Sequence, residues 1–162
     1  DVCSSDLHGL LYHTVSMLNH AKYFVSYYPN IDKEILYAGA MLHDIGKVIE
    51  LEGKFSYHFS LEGKLIGHVS IGAALVAEAR SVCSIKSEKA LLLQHMVLSH
   101  HGQLEFGSPV MPLTKEAMLL SLIDNLDSKM VVVNKAILDV EPGSFSNKVF
   151  PLDNRSFYKP KK

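Results

Sequence analysis

Tryptophan is absent from this chain of 162 residues, and cysteine occurs only as Cys3 and Cys83. Two cysteines cannot make a disulfide framework, so both are expected as free thiols, with Cys83 read as a small buried apolar residue. An excess of charge of one sign is also lacking. Lysine and arginine total 16 against 17 acidic residues, a net charge of −1, so nucleic-acid binding cannot rest on bulk charge. No apolar run approaches the roughly 18 uncharged residues of a membrane span, and no charged-then-apolar leader opens the chain. A cytoplasmic protein without membrane partners is the expectation. What remains is an ordinary globular composition, 48% hydrophobic and 20% charged, of a size that buries roughly 68–70% of its unfolded surface in one core.

Helical periodicity dominates the chain. Leu11, Val15, Leu18, Ala21 and Val25 recur at three- and four-residue steps, predicting a helix over 10–28 that Pro29 and Asn30 end. Asp32 suits an N-cap for a second helix running into His43, Asp44, Ile45, Gly46 and Lys47. Between 50 and 67 glycines, serines and aromatics break the pattern, which suits a loop or short irregular hairpin, with His58 exposed. Helices are predicted again over 68–82 and 86–100, the latter stopped by Gly102 as a left-handed cap. After a proline-containing loop, Thr114 caps a last long helix through Asp124 to about Asp139. Beyond Pro142 the tail reads as irregular, so the fold class is all-α.

Nine histidines carry the chemistry. A lone buried histidine is usually a satisfied core residue, but His43 stands beside Asp44 in a segment otherwise filled by Ala40, Met41, Leu42 and Ile45. Burying an ionised carboxylate without a partner is costly, and a cation removes that cost. Asp124 poses the same question among Leu119, Leu120, Leu122, Ile123 and Leu126, where pairing with a lysine or capping a backbone is the alternative.

His13, then His43 and Asp44, then Asp124, each on its own predicted helix, resembles the H…HD…D signature of the HD phosphohydrolase superfamily, and Ile45-Gly46-Lys47 extends it to HDIGK. The stretches Gly9-Leu10-Leu11-Tyr12-His13-Thr14, 98–109 and Asp124-Asn125-Leu126-Asp127-Ser128-Lys129-Met130, with the ending 154–160, are similar to the YhaM family of bacterial 3'-to-5' exoribonucleases. That resemblance covers nearly all the chain after Leu7. It implies an HD helical bundle over 8–142, a basic and aromatic tail over 143–162, and an upstream OB-fold module in the full-length protein. Asp1–Leu7 matches the translation of a sequencing-adapter end and is expected to be non-native, making the chain a fragment; a polar arm with a Ser-Ser-Asp cap is the alternative.

The resemblance further implies that His13, His43, Asp44 and Asp124 hold one metal, and that His68, His100 and His101 supply a second site. Asp44 is the expected bridge. Imidazole and carboxylate suit a divalent transition metal, manganese ahead of iron, cobalt or zinc, as one or two ions. Two ions about 3.5–4 Å apart would hold a hydroxide for in-line attack on phosphorus. For His100 and His101 a role at a helix C-terminus is the alternative.

Lys47, one turn after His43, would meet a substrate phosphate or serve the helix dipole. Asp127 is a candidate catalytic carboxylate that could accept a proton or orient a ligand, or else pair with Lys129. His95 is expected to face substrate at best, whereas His8 and His20 are read as surface residues. Arg155, Tyr158 and Lys159 in the tail suit single-stranded nucleic acid, with cations on phosphates and rings on bases, although such runs are usually solvated. The leading expectation is a phosphodiesterase acting on single-stranded RNA. A nucleotide or cyclic-dinucleotide phosphohydrolase is the alternative, the cyclic-di-GMP branch being disfavoured because Gly107-Ser108-Pro109 stands where that branch has Gly-Tyr-Pro. A degenerate binding module is a third class, and self-association is left open.

Overall fold

The computed structural model describes residues 7–53 and 57–161, with the side chains of Leu7 and His8 outside the description. The expectations for Asp1 to Asp6, Cys3 and the His8 side chain therefore lie outside the described residues. Helices α1 (Leu7–Tyr27), α2 (Lys33–Leu42), α3 (Lys47–Glu50), α4 (Leu61–Ile66), α5 (His68–Val82), α6 (Glu88–Ser99) and α7 (Lys115–Ile137) make up nearly all the regular structure. A two-stranded antiparallel ribbon, β1 (Leu51–Glu52) and β2 (His58–Phe59), pairs Leu51 with Phe59 and Glu52 with His58. The protein is all-α with this small insertion. No helix among the described residues is long and apolar enough to cross a membrane.

Local chemistry sets the helix starts. The Asp32 carboxylate accepts the Glu34 and Ile35 amides, the Thr114 hydroxyl accepts the Ala117 amide, and Ser60 and Ser87 do the same for α4 and α6. Each such cap is worth about 1 kcal/mol against alanine. The main core joins Met17 and Ala21 of α1, Leu36 and Ala40 of α2, Met96 of α6, and Leu120 and Ile123 of α7. The burial of each larger side chain contributes roughly 1.5–3 kcal/mol. A smaller cluster, Ala73, Val76 and Val97, fixes α5 against α6.

The structure corrects several sequence expectations. On α1, Leu11 and Val15 are exposed, and the buried face runs through Leu10, His13, Met17 and Ala21. The His43–Gly46 segment is a turn rather than the end of a helix, with α2 stopping at Leu42 and α3 starting at Lys47. The 50–67 stretch holds the expected hairpin but also the unforeseen α4. Cys83 is exposed, because α5 ends at Val82 and its cap lies outside the core. The tail folds back on itself through bridges between Phe145 and Tyr158 and between Val149 and Arg155.

Candidate metal centre

The motif turn explains the geometry of the site. Ending α2 at Leu42 leaves His43 and Asp44 buried where α1, α5, α6 and α7 converge. Gly46 is required there by space: a Cβ at that position would run into the His68 carbonyl and the Gly72 amide. Only a bare backbone lets the first turn of α5 approach closely enough to set His68 beside Asp44. Gly102 ends the run after α6 at φ +80°, the left-handed conformation the sequence predicts, directly after His100 and His101, whose ring centroids lie 4.2 Å apart.

Five histidines point their Nε2 atoms into one space, and each has its Nδ1–H committed elsewhere. His43 donates to the Ala40 carbonyl at 3.1 Å, His100 to Val97 at 2.7 Å and His101 to Phe106 at 2.7 Å. His13 donates to Asp127 Oδ2 at 2.7 Å and His68 to Glu50 Oε1 at 3.1 Å. Because a carbonyl can only accept, the neutral rings of His43, His100 and His101 carry Nε2 lone pairs facing inward, the tautomer a metal ligand needs.

The inward atoms fall into two groups. Ligand atoms of His13, His43 and Asp44 lie within 4.8 Å of one another, and so do those of His68, His100 and His101. Asp124 Oδ1 joins the first at 3.2 Å from His13 Nε2. Asp44 spans both: Oδ2 lies 3.5 Å from His43 Nε2, while Oδ1 lies 3.5 Å from His68 Nε2 and 3.6 Å from His100 Nε2. Among the described residues, Asp44 Oδ1 and His100 Nε2 are both buried with no hydrogen-bond partner. Two acceptors facing each other in a dry interior cost free energy unless a cation lies between them. The residues therefore fit divalent ions.

The charges agree with that reading. Burial raises the pKa of Asp44, but His43, His100 and Lys47 outweigh it and hold the carboxyl well below its usual range. Burial lowers His13 as well, yet hydrogen bonds to Asp124 and Asp127 prevail and raise it to about 9. Burial, with His100 beside it, pushes His101 down to about 4, and burial also lowers His43 and His68. A cation bound beside His13 would compete with the proton that Asp124 and Asp127 favour there.

The HD domain family matches residues 10–129. The chain belongs to the HD-domain family. It is thus a metal-dependent phosphohydrolase, and the two histidine groups around Asp44 are groups that could hold a metal ion. No solved structure matches the chain.

Within the HD domain, His13, His43, Asp44, His68, His100, His101 and Asp124 are brought together, and several line a cleft of about 420 Å³. Lys47 is buried and donates to Asp44 Oδ2 at 2.8 Å. Asp127 does not face the cluster; it holds His13 and is itself held by the Ser16 hydroxyl, with His20 Nε2 at 3.5 Å. The structure does not gather the other candidates. His95 Nε2 accepts the Leu113 amide at 2.9 Å and ties down the preceding loop. Arg155 donates to the Leu152 carbonyl, Lys159 to the Leu138 carbonyl, and the Tyr158 ring packs on Phe145 at 5.1 Å, so all three hold the tail together. Sequence reasoning missed Glu50, a buried carboxylate between Ile49 and Leu51, although the same signal singled out Asp124.

Proposed function

We propose that this HD domain is a phosphodiesterase that removes nucleotides from the 3' end of single-stranded RNA. The observation that carries the phosphodiesterase half is the Asp44 carboxylate, which presents one oxygen to each of two histidine groups with its Oδ1 orphaned. Bound there, manganese or a similar divalent pair would activate water near neutral pH and polarise a phosphoryl oxygen. The protein's own part is positional. Asp127 and Glu50 orient His13 and His68, Lys47 fixes Asp44, and Asn125, Ser128 and Lys129 line the cleft above them. Lys129 gives that wall a cation for a phosphate. In the net reaction water adds to phosphorus and the P–O3' bond breaks, releasing a nucleoside 5'-monophosphate and leaving a shortened chain with a 3'-hydroxyl.

RNA and the direction of attack rest on the similarity of 98–109 and 124–130 to the YhaM family. A cleft of about 420 Å³ also suffices for one nucleotide, which favours a nucleotide phosphohydrolase as the second reading. The deciding experiment supplies manganese-loaded protein with 5'-labelled single-stranded RNA, the matching DNA, and mononucleotides. A ladder of RNAs shortened from the 3' end is expected. Phosphate release from mononucleotides with intact RNA would replace this reading with the second.

A further inference from the structure

Two hollows meet at Pro151. One is the metal cleft, whose rim includes Asp124, Asn125, Ser128, Lys129 and Pro151. The other, about 540 Å³, lies between the later turns of α7 and the tail, with Val132, Ala136, Lys148, Phe150 and Pro151 among its walls. Along α7 the lining residues Asn125, Ser128, Val132 and Ala136 follow steps of three and four, with Lys129 one turn after Asn125, so they share one helix face. That face is a common floor extending about 18 Å from Asp124 to Ala136 at the helical rise per residue.

The tail supplies the opposite wall, and it is built to stay in place. Val149 donates to the Arg155 carbonyl at 2.9 Å, the chain reverses through left-handed Asp153 and Asn154, and Leu152 is buried as an anchor. The turn Phe150–Leu152 thereby holds Pro151 against the cleft and leaves the Phe150 ring 82% exposed. A single exposed aromatic means little. Here the ring stands beside Lys148, one wall away from Lys129, and the described lining of the distal hollow sets Lys135 and Lys148 against only Asp139. An exposed ring on a held turn with flanking cations is the chemistry that tracks a single strand, bases stacking while ammonium groups meet phosphates.

We infer that the hollow beyond Pro151 is a subsite for the part of a single-stranded polynucleotide that extends away from the scissile phosphate, with Phe150 as its stacking platform and Lys148 as a phosphate contact. This rests on the phosphodiesterase reading above. It also moves the nucleic-acid role of the tail from Arg155, Tyr158 and Lys159, which hold the fold, to the turn they support.

The test compares wild type, Phe150→Ala, Phe150→Tyr and Lys148→Glu on ribo-oligonucleotides of two and six residues, with thermal melts to confirm folding. Binding is read by anisotropy of a labelled hexamer in chelator, and turnover by kcat/KM with manganese. Loss of one stacked base lowers affinity roughly 5- to 150-fold, so Phe150→Ala should weaken hexamer binding at least about five-fold and lower the hexamer-to-dimer ratio of kcat/KM. Phe150→Tyr should restore both. Lys148→Glu should also flatten the log–log salt slope by about 0.7 or more. Hexamer binding unchanged in Phe150→Ala, or equal losses on dimer and hexamer, would overturn the subsite. Failure of wild type to cleave any diester would instead strike the phosphodiesterase reading, and the anisotropy arm would still judge the subsite.

Discussion

Glu50 Oε1 accepts two hydrogen bonds from one residue, the His68 amide at 2.9 Å and the His68 Nδ1–H at 3.1 Å. The pair fixes both the start of α5 and the imidazole of its first residue, so His68 presents Nε2 toward His101 and Asp44. Outer partners of this kind are worth about 10- to 100-fold in metal affinity. Glu50→Ala should therefore lower manganese affinity by about that factor, while Glu50→Gln, which keeps an acceptor oxygen, should lose less. Titration with manganese followed by metal analysis checks this, and equal binding in all three proteins would remove Glu50 from the centre.

Asp44→Ala should abolish hydrolysis of a small activated diester and release metal from both groups, since one carboxylate faces each of them. His58→Ala is the control. His58 is exposed on β2 and pairs with Glu52 at 3.3 Å among the described residues, so the variant's activity should stay within about two-fold, as surface changes usually cost under about 0.5 kcal/mol. A fully active Asp44→Ala protein would refute the metal-centred account.

Lys47 and Asp44 form a buried ion pair at 2.8 Å. Removing one partner of such a pair typically costs about 3–5 kcal/mol, because the other charge is left buried and unpaired. Lys47→Ala should accordingly lower the melting temperature most in chelator, with manganese recovering much of the loss by neutralising Asp44. A melting temperature equally depressed with and without metal would mean that Lys47 acts through packing alone.

The metal-free protein should be most stable near pH 6.5. His13 binds its proton more tightly when folded, at about 9 against 6.5, so its contribution is full below 6.5 and is lost as pH rises through 9. His101 is shifted the other way, to about 4, so its neutral folded form costs stability as pH falls below 6.5 toward 4. Denaturant melts in chelator across that range should trace the maximum, and saturating manganese should flatten its alkaline side. Stability rising steadily from pH 6.5 to 9 in chelator would contradict the His13 assignment.

The sequence alone determined the long helices and most of the cluster, because helical periodicity, N-cap side chains and the HDIGK segment are local signals, but it did not show α4 or the turn at 43–46. His43, Asp44 and Asp124 were legible as polar residues in apolar segments, which burial makes costly without a partner, whereas His13, His68, His100 and His101 entered through the resemblance to HD domains. Pairwise orientation was not legible. Whether Lys47 meets a phosphate or Asp44, and whether Asp127 faces the cluster or steadies His13, depends on where α1, α3 and α7 cross, a matter of packing between residues far apart in the chain. Glu50 became meaningful only once Gly46 let α5 close on the motif turn. The tail shows the same division: its lysines and rings were visible as composition, but backbone reversal at Asp153 and Asn154 decided that Tyr158 would hold the hairpin while Pro151 stands at the cleft and Phe150 at the hollow beside it. Composition says which chemistries a chain can perform, and long-range packing decides which atoms end within reach of one another.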